Sequence, residues 1–267
     1  MTKGSIGVFD SGLGGLWVLK HLKDKLPLYN YIFLGDQANV PFGGKTPDEL
    51  FNIATKGLDY LYGEMNCMGV VLACNTISST IYERLRDWKD EKYFGRILFG
   101  IVRPTVESID KGKPVVIFAT PRTCESEVYE KFLKENVKNY IKIPLPQLAY
   151  LIENGGDTLA YVKYFKDMIG SDIESGALLC THYGIVRDDF KKVFPQVKTW
   201  VYQEDLIPKY LAEYFIEFPD REAFFEHGSK LSILITKESE VFHKFSKKWF
   251  GEKVKIKLVD LNNYETN

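Results

Sequence analysis

The sequence predicts an α/β fold of two similar doubly wound parallel-sheet domains. Short apolar runs alternate with amphipathic stretches along the chain, a pattern typical of parallel sheets covered by helices on both faces. An internal echo indicates two domains, because in each half one strand ends in small polar residues and a later strand ends in a cysteine. The 267 residues are enough for two medium-sized domains.

Apolar runs bounded by polar segments predict the strands of both sheets. They cover residues 6–9, 31–34, 70–73, 97–101, 115–119, 140–143, 177–179, 199–202, 231–235 and 254–258. Helices are expected in most of the gaps. The helix after Thr46 has the clearest start signal, since Pro47 suits the first helical position and Glu49 completes a capping box.

The strand pattern also predicts how the chain divides into domains. We expect residues 1–96 and about 210–267 to form the first domain, and residues 97–209 to form the second. The segment from about Tyr210 is assigned to the first domain because it adds further strand and helix units that would pack back on it. The active site is then expected at the interface between the two domains.

Composition excludes several classes of protein. The net charge of −1 gives no overall field that would attract nucleic acid or an anionic membrane. No apolar run approaches the roughly 18 residues of a membrane span. The first ten residues lack the apolar core of a signal peptide, so we expect a cytoplasmic protein.

The four cysteines, Cys67, Cys74, Cys124 and Cys180, form no C-x-x-C pair and are expected to be free thiols. Cys74 and Cys180 each follow a predicted strand, and ligands of open α/β sheets bind beyond the carboxyl ends of strands. Each also precedes residues that can open a helix, whose amino-terminal dipole should lower the thiol pKa.

Two thiols from facing domains suit racemisation at a carbon that carries a weakly acidic proton. One thiolate removes the proton on one face and the other thiol supplies a proton on the opposite face. Backbone N–H groups at helix starts would hold a substrate carboxylate. Asp10 would anchor an ammonium group or steer a proton, and His182 would tune the nearby Cys180.

Other interpretations remain open at this point. Asp10 is equally suited to cap the following helix, and His182 to be a hydrogen-bonded scaffold residue. The glycines of residues 12–15 match a phosphate-binding loop only in part. Cys74, Cys180 and His182 are also a possible metal ligand set, and His182 a possible base for a thiol hydrolase.

Several stretches, in order along the chain, resemble the motifs of bacterial glutamate racemases. They are Ile6-Gly7-Val8-Phe9-Asp10-Ser11-Gly12-Leu13-Gly14-Gly15, Gly35-Asp36 with Val40-Pro41-Phe42-Gly43, Ala73-Cys74-Asn75-Thr76, Phe118-Ala119-Thr120 with Thr123, Leu151-Ile152-Glu153-Asn154-Gly155, and Cys180-Thr181-His182-Tyr183. A weaker likeness continues through residues 233–250. Two cysteine motifs together with the Asp-Ser-Gly loop make this resemblance specific.

The resemblance implies an isomerase that interconverts L- and D-glutamate without pyridoxal phosphate, metal or other cofactor. Cys74 and Cys180 would be the acid/base pair, assisted by Asp10, His182 and Glu153. Substrate-binding residues would be Asp10, Ser11, Phe42, Gly43, Asn75, Thr76, Thr123, Thr181 and His182. The resemblance further implies a cytoplasmic homodimer whose D-glutamate serves peptidoglycan synthesis, cell-wall biogenesis and cell shape.

The chain departs from the usual family pattern around the expected pocket. The departures are Gln37, Asn39, Phe42, Thr105, Pro121 and Gly184. They leave both expected catalytic cysteines in place, so they bear on the choice of substrate more than on the type of reaction. Aspartate or another amino acid is therefore the alternative substrate, and a non-catalytic thiol or metal-binding protein the alternative from another class.

Overall fold

Over residues 3–137 and 139–262, which the computed structural model describes, ten strands form two separate parallel sheets. The strands are β1 Ser5–Asp10, β2 Tyr31–Gly35, β3 Cys67–Leu72, β4 Ile97–Gly100, β5 Val115–Ala119, β6 Tyr140–Pro144, β7 Ser175–Leu179, β8 Thr199–Tyr202, β9 Leu231–Ile235 and β10 Ile256–Leu258. Each matches one predicted apolar run. Residues 1–2 and 263–267 of the first predicted domain lie outside the described residues.

Helices connect the strands throughout the described part of the chain. They are α1 Leu13–Lys25, α2 Pro47–Asp59, α3 Asn75–Lys92, α4 Val102–Ser108, α5 Pro121–Cys124, α6 Glu127–Asn136, α7 Leu148–Asn154, α8 Thr158–Lys163, α9 Arg187–Val193, α10 Gln203–Glu217, α11 Pro219–Glu222 and α12 Glu240–Phe250. Short 3₁₀ turns cover Gln37–Asn39, Phe42–Gly44, Lys166–Met168 and Tyr183–Val186, and a π-helical turn covers Tyr60–Glu64.

The two sheets repeat one strand order. The first runs β10-β9-β2-β1-β3-β4 and the second runs β6-β5-β7-β8. Strands β1, β2, β3 and β4 therefore correspond to β5, β6, β7 and β8, and β9 and β10 extend the first sheet beyond β2. This correspondence explains the internal echo of the sequence, because β3 and β7 are the strands that precede Cys74 and Cys180.

Helices cover both faces of each sheet. Successive side chains of a strand point to opposite sides, so neighbouring strand residues pack against different helices. In β1, Val8 packs in the cluster formed with α1, α10 and α12, whereas Phe9 packs in the cluster formed with α2 and α3. In β5, Phe118 packs with α7 and α9, and Ile117 packs with α4 and α6. The predicted doubly wound α/β fold is confirmed.

The start of α2 follows the predicted capping box. The Oγ1 of Thr46 accepts the Glu49 backbone N–H at 3.3 Å, and the Glu49 carboxylate accepts the Thr46 backbone N–H at 2.8 Å. The predicted domain boundaries near residues 96 and 210 stay a prediction, although the six-stranded sheet takes strands from both ends of the chain. Among the described helices, none combines the length and apolar character needed to cross a bilayer.

Candidate active site

The carboxyl ends of three strands carry the acid/base candidates. Asp10 ends β1, and Cys74 follows the neighbouring strand β3 after Ala73, whose N–H donates to the Phe9 carbonyl at 3.0 Å. Cys180 follows β7 in the other sheet. The sequence thus delivers one thiol from each half of the molecule.

Two polar contacts hold the halves together at this point. The Thr181 hydroxyl donates to Oδ2 of Asp10 at 3.0 Å. Oε1 of Glu153, on α7, accepts the backbone N–H of Leu13 at 2.9 Å and so satisfies the start of α1 from across the interface. Asp10 therefore does not cap α1: its Oδ1 accepts the N–H of Ser11 at 2.6 Å, outside that helix.

The glycines of residues 12–15 permit this close approach. A Cβ on Gly14 would lie 2.2 Å from Oγ1 of Thr181, and one on Gly12 would lie 2.3 Å from Oε1 of Glu153. Real Cβ atoms do not tolerate such distances, so larger residues would displace the second half. The run serves interface packing, and the Glu153 carboxylate already occupies the helix start that a phosphate would use.

Cys74 is only 6 % exposed, and this overturns one expectation. Burial raises the pKa of its thiol well above the ordinary value, and the negative charge of Asp10 raises it further, as does that of Cys180. The backbone N–H groups of Ile77 and Thr76 act in the opposite direction, as a helix start should. They are outweighed, so the prediction that the helix start would lower the Cys74 pKa is wrong.

Cys180 lies beside a buried imidazole. Its Sγ atom is 3.9 Å from Nδ1 of His182, whose Nε2 lies 2.7 Å from Oε1 of Glu153. Burial alone would lower the His182 pKa, but the contacts with Cys180 and Glu153 outweigh it and raise that pKa well above 6.5. The same pairing lowers the pKa of Glu153 despite its burial. These contacts favour the imidazolium form of His182, whose ring lies between the Glu153 carboxylate and the Cys180 sulfur.

The buried carboxyl of Asp10 is the remaining charged group at this site. Burial raises its pKa, while the positive charge of His182 and hydrogen bonds from Ser11 and Thr181 lower it in part. Because the charge of Asp10 also raises the Cys74 pKa, Asp10 links the two thiol environments. Among the described residues, no group of three or more His, Cys, Asp and Glu side chains is arranged to hold a metal ion.

The predicted substrate-binding residues divide into two sets. In the first set, His182 contacts Cys180, the Thr76 N–H faces Cys74, and Ser11 and Thr181 hydrogen bond to Asp10. Phe42 lies in the same buried cluster as Cys74, and the turn that carries it contacts α3 and α5, the helix of Thr123. A Cβ on Gly43 would meet no atom within 4 Å, which leaves open space at that position.

Sequence reasoning missed Gln203. The Asn75 side chain, predicted to bind substrate, is fully buried and its amide pairs with the amide of Gln203. Tyr129 adds a hydrogen bond to Oδ1 of Asn75 at 2.8 Å. A signal for Gln203 was available, because it directly follows the predicted strand 199–202, as the two cysteines follow theirs.

Known proteins identify the family to which this arrangement belongs. No protein-family model matches the chain. It is 32 % identical to a protein named glutamate racemase 2 from Caldanaerobacter subterraneus, over 99 % of this chain and all of the relative. It is 30 % identical to the glutamate racemase of a Sulfurihydrogenibium species, over 97 % of this chain and 98 % of the relative.

The chain belongs to the glutamate racemase family. The crystal structure of the Francisella tularensis glutamate racemase, in complex with D-glutamate, has the same fold, with a TM-score of 0.83 at 24 % identity over 99 % of this chain and all of the other. The resemblance read from the cysteine motifs is therefore confirmed. Glutamate racemases are amino-acid racemases, which are isomerases.

Several departures from the family pattern have a visible structural setting. Thr105 accepts a hydrogen bond from Gln203 at 3.0 Å. Asn39 donates to both carboxylate oxygens of Asp36, at 3.1 and 2.8 Å. Gly184 faces the buried Glu204, whose carboxylate oxygens would lie 2.4 Å from an added Cβ. Pro121 is the first residue of α5.

Proposed function

We propose that this chain is a cofactor-independent glutamate racemase in which Cys74 and Cys180 are the two acid/base groups. One observation carries the proposal: the two thiols follow equivalent strands of the two sheets, and the halves meet beside them, where the hydroxyl of Thr181, next to Cys180, donates at 3.0 Å to Asp10 on the strand that neighbours the Cys74 strand. Membership of the family supports glutamate as the substrate.

The charged groups beside the two thiols differ. Contacts with Cys180 and Glu153 raise the pKa of His182, and its imidazole lies beside the Cys180 sulfur. Cys74 remains a neutral thiol because burial and the negative charge of Asp10 disfavour its ionised form. In the proposal Cys180, beside the imidazole of His182, acts first as the base and Cys74 as the acid, as a two-sided proton transfer requires.

The proposed reaction balances in protons and charge. The thiolate takes the Cα proton of glutamate, which leaves a carbanion, and the neutral thiol gives a proton to the opposite face of that carbon. The negative charge ends on the second sulfur, and the same steps in reverse convert the other enantiomer. Cys74 and Cys180 are 6 % and 8 % exposed, so bulk water is largely kept from the carbanion.

Backbone and buried side chains support the substrate in this proposal. The N–H groups that start α3 point toward the Cys74 sulfur and suit a carboxylate beside it. Asp10 suits the α-ammonium group, because its Oδ2 atom lies at the junction of the halves beside Thr181. Burial raises the pKa of Asp10, and a cation bound beside the carboxyl would lower that pKa again and so favour the ionised form.

Racemisation is tested by following the optical activity of L- and D-glutamate with purified protein. Wild type should convert both enantiomers to the same mixture, and Cys74→Ser and Cys180→Ser should each abolish conversion. Cys67→Ala is the matched control, since Cys67 begins β3 and Cys74 follows the other end of that strand. Racemisation at the normal rate by both serine variants would contradict the mechanism.

A panel of amino acids tests the substrate. The departures around the pocket, such as Asn39, motivate aspartate as the competing substrate. Conversion of glutamate with a far higher kcat/KM than aspartate supports the proposal, and conversion of aspartate alone contradicts it. The resemblance further supports a cytoplasmic homodimer that supplies D-glutamate for peptidoglycan, and sedimentation equilibrium would test the dimer.

A further inference from the structure

Four buried polar side chains form a hydrogen-bonded cluster behind the turn that carries Cys74. Asn75, Thr105, Tyr129 and Gln203 are each at most 3 % exposed. Buried polar groups are costly unless they are paired, and a fully paired cluster fixes the geometry of its members. Asn75 directly follows Cys74, so contacts that hold the Asn75 side chain also restrain the backbone next to the thiol.

The amides of Asn75 and Gln203 form a reciprocal pair. Nδ2 of Asn75 donates to Oε1 of Gln203, and Nε2 of Gln203 donates to Oδ1 of Asn75 at 2.9 Å. The Tyr129 hydroxyl donates to the same Oδ1 at 2.8 Å. Nε2 of Gln203 also donates to Thr105 at 3.0 Å, whose hydroxyl donates to the Ile101 carbonyl at 2.7 Å.

Thr105 and Gln203 lie on the two connections between the sheets. Ile101 and Thr105 lie between β4 of the first sheet and β5 of the second. Gln203 begins α10 directly after β8, where the chain returns to the first sheet. Tyr129 is on α6 of the second half. The cluster therefore joins the Cys74 turn to both crossings of the chain.

We propose that Gln203, supported by Tyr129, is a positioning residue that fixes the turn carrying Cys74 for proton transfer. Its effect on the rate rests on the proposed function above. Proton transfer requires close alignment, and a displacement of about 1 Å can reduce a rate by about 100-fold. Gln203 touches neither sulfur, so it acts only through Asn75.

Two variants alter the hydrogen bonds of the cluster with little change in volume. Gln203→Glu has the shape of the wild-type side chain but replaces Nε2, which donates to Asn75 and to Thr105, with a carboxylate oxygen. Tyr129→Phe removes only the hydroxyl. Tyr62→Phe is the matched control, because the buried Tyr62 hydroxyl donates at 2.7 Å to the carbonyl of Ile97, which begins β4 and so lies at the end of the strands away from Cys74.

Backbone hydrogen exchange measures the positioning itself, independently of catalysis. In Gln203→Glu and Tyr129→Phe, exchange of the amides of residues 74–77 should become about 10-fold faster than in wild type. Tyr62→Phe should leave that segment unchanged. Unchanged exchange of residues 74–77 in Gln203→Glu would overturn the proposal, whether or not the protein racemises glutamate.

Isotope effects measure the consequence for the reaction. Gln203→Glu should lower kcat/KM for glutamate roughly 10-fold relative to wild type. The isotope effect is the ratio of kcat/KM for unlabelled glutamate to kcat/KM for α-deuterated glutamate. The isotope effect should rise in the direction in which Cys74 removes the deuteron and fall in the other direction, because only the Cys74 step has slowed. Isotope effects that change together in both directions indicate general structural damage and contradict the assignment. Absence of racemisation in wild type would refute the proposed function instead.

Discussion

Oε1 of Glu153 lies 2.7 Å from Nε2 of His182 and also accepts the backbone N–H of Leu13 from the other half of the molecule. One carboxylate oxygen therefore fixes the imidazole beside Cys180 and satisfies the start of α1. The charge state of His182 and the fit between the halves consequently depend on the same atom.

Glu153→Gln should lower both activity and stability. The neutral amide no longer favours the imidazolium, so the positive charge beside the Cys180 sulfur is weakened and kcat should fall by about 10-fold or more. Loss of a charge-assisted hydrogen bond should decrease the free energy of unfolding by about 1–3 kcal/mol. Urea denaturation and racemisation assays check both effects, and wild-type values for both would contradict the role given to Glu153.

The ion pair should make stability depend on pH. The raised pKa of His182 stabilises the fold fully below about 6.5, its ordinary value, and this contribution is lost as pH rises through the folded pKa. The lowered pKa of Glu153 contributes above about 4.5 and is lost as pH falls through the folded value. The advantage of wild type over His182→Asn/Glu153→Gln should therefore be largest between these values.

Urea unfolding at a series of pH values measures this advantage. The exposed pair His243 and Glu238, with its nitrogen and oxygen 2.7 Å apart, provides the control, because removing it should cost less than about 1 kcal/mol. A stability difference that stays constant from acid to alkaline pH would show that the buried pair is not ionised as described.

The sequence predicted the framework of the site but not its electrostatics. Cys74 and Cys180 could be located because strands are recognisable from local apolar runs, and both thiols follow such runs. The contact between Glu153 and Leu13 joins distant parts of the chain, so no local pattern contains it. The raised pKa of Cys74 is likewise a property of the folded environment, because burial outweighs the helix start that the sequence reveals.

Asp10→Asn should separate stability from activity. The pKa of the buried Asp10 carboxyl is raised, so its ionised form destabilises the fold progressively as pH rises from its ordinary value of 3.8 through the folded value. The neutral amide should leave the melting temperature at pH 7 unchanged or higher, while kcat/KM falls by about 100-fold. Calorimetry and racemisation assays test this pair of outcomes. A variant that is both unstable and fully active would refute it.

Gly14→Ala should disturb the junction of the halves. The new methyl group would lie 2.2 Å from Oγ1 of Thr181 and 2.7 Å from the N–H nitrogen of His182. Such overpacking typically costs about 1–3 kcal/mol, and the displaced Cys180 segment should lose most activity. Gly44→Ala is the matched control, since a Cβ there meets no atom within 4 Å. Equal melting temperatures and rates for the two variants would contradict the packing argument.

The most direct test is deuterium incorporation at Cα during the first turnovers in D₂O. If Cys74 and Cys180 work on opposite faces, L-glutamate should give D-glutamate labelled at Cα while the recovered L-glutamate stays unlabelled, and D-glutamate should behave in the mirror sense. Chiral separation followed by mass spectrometry measures both. Early label in the recovered substrate would mean that a single base both removes the proton and returns one to the same face, and it would contradict the two-thiol account.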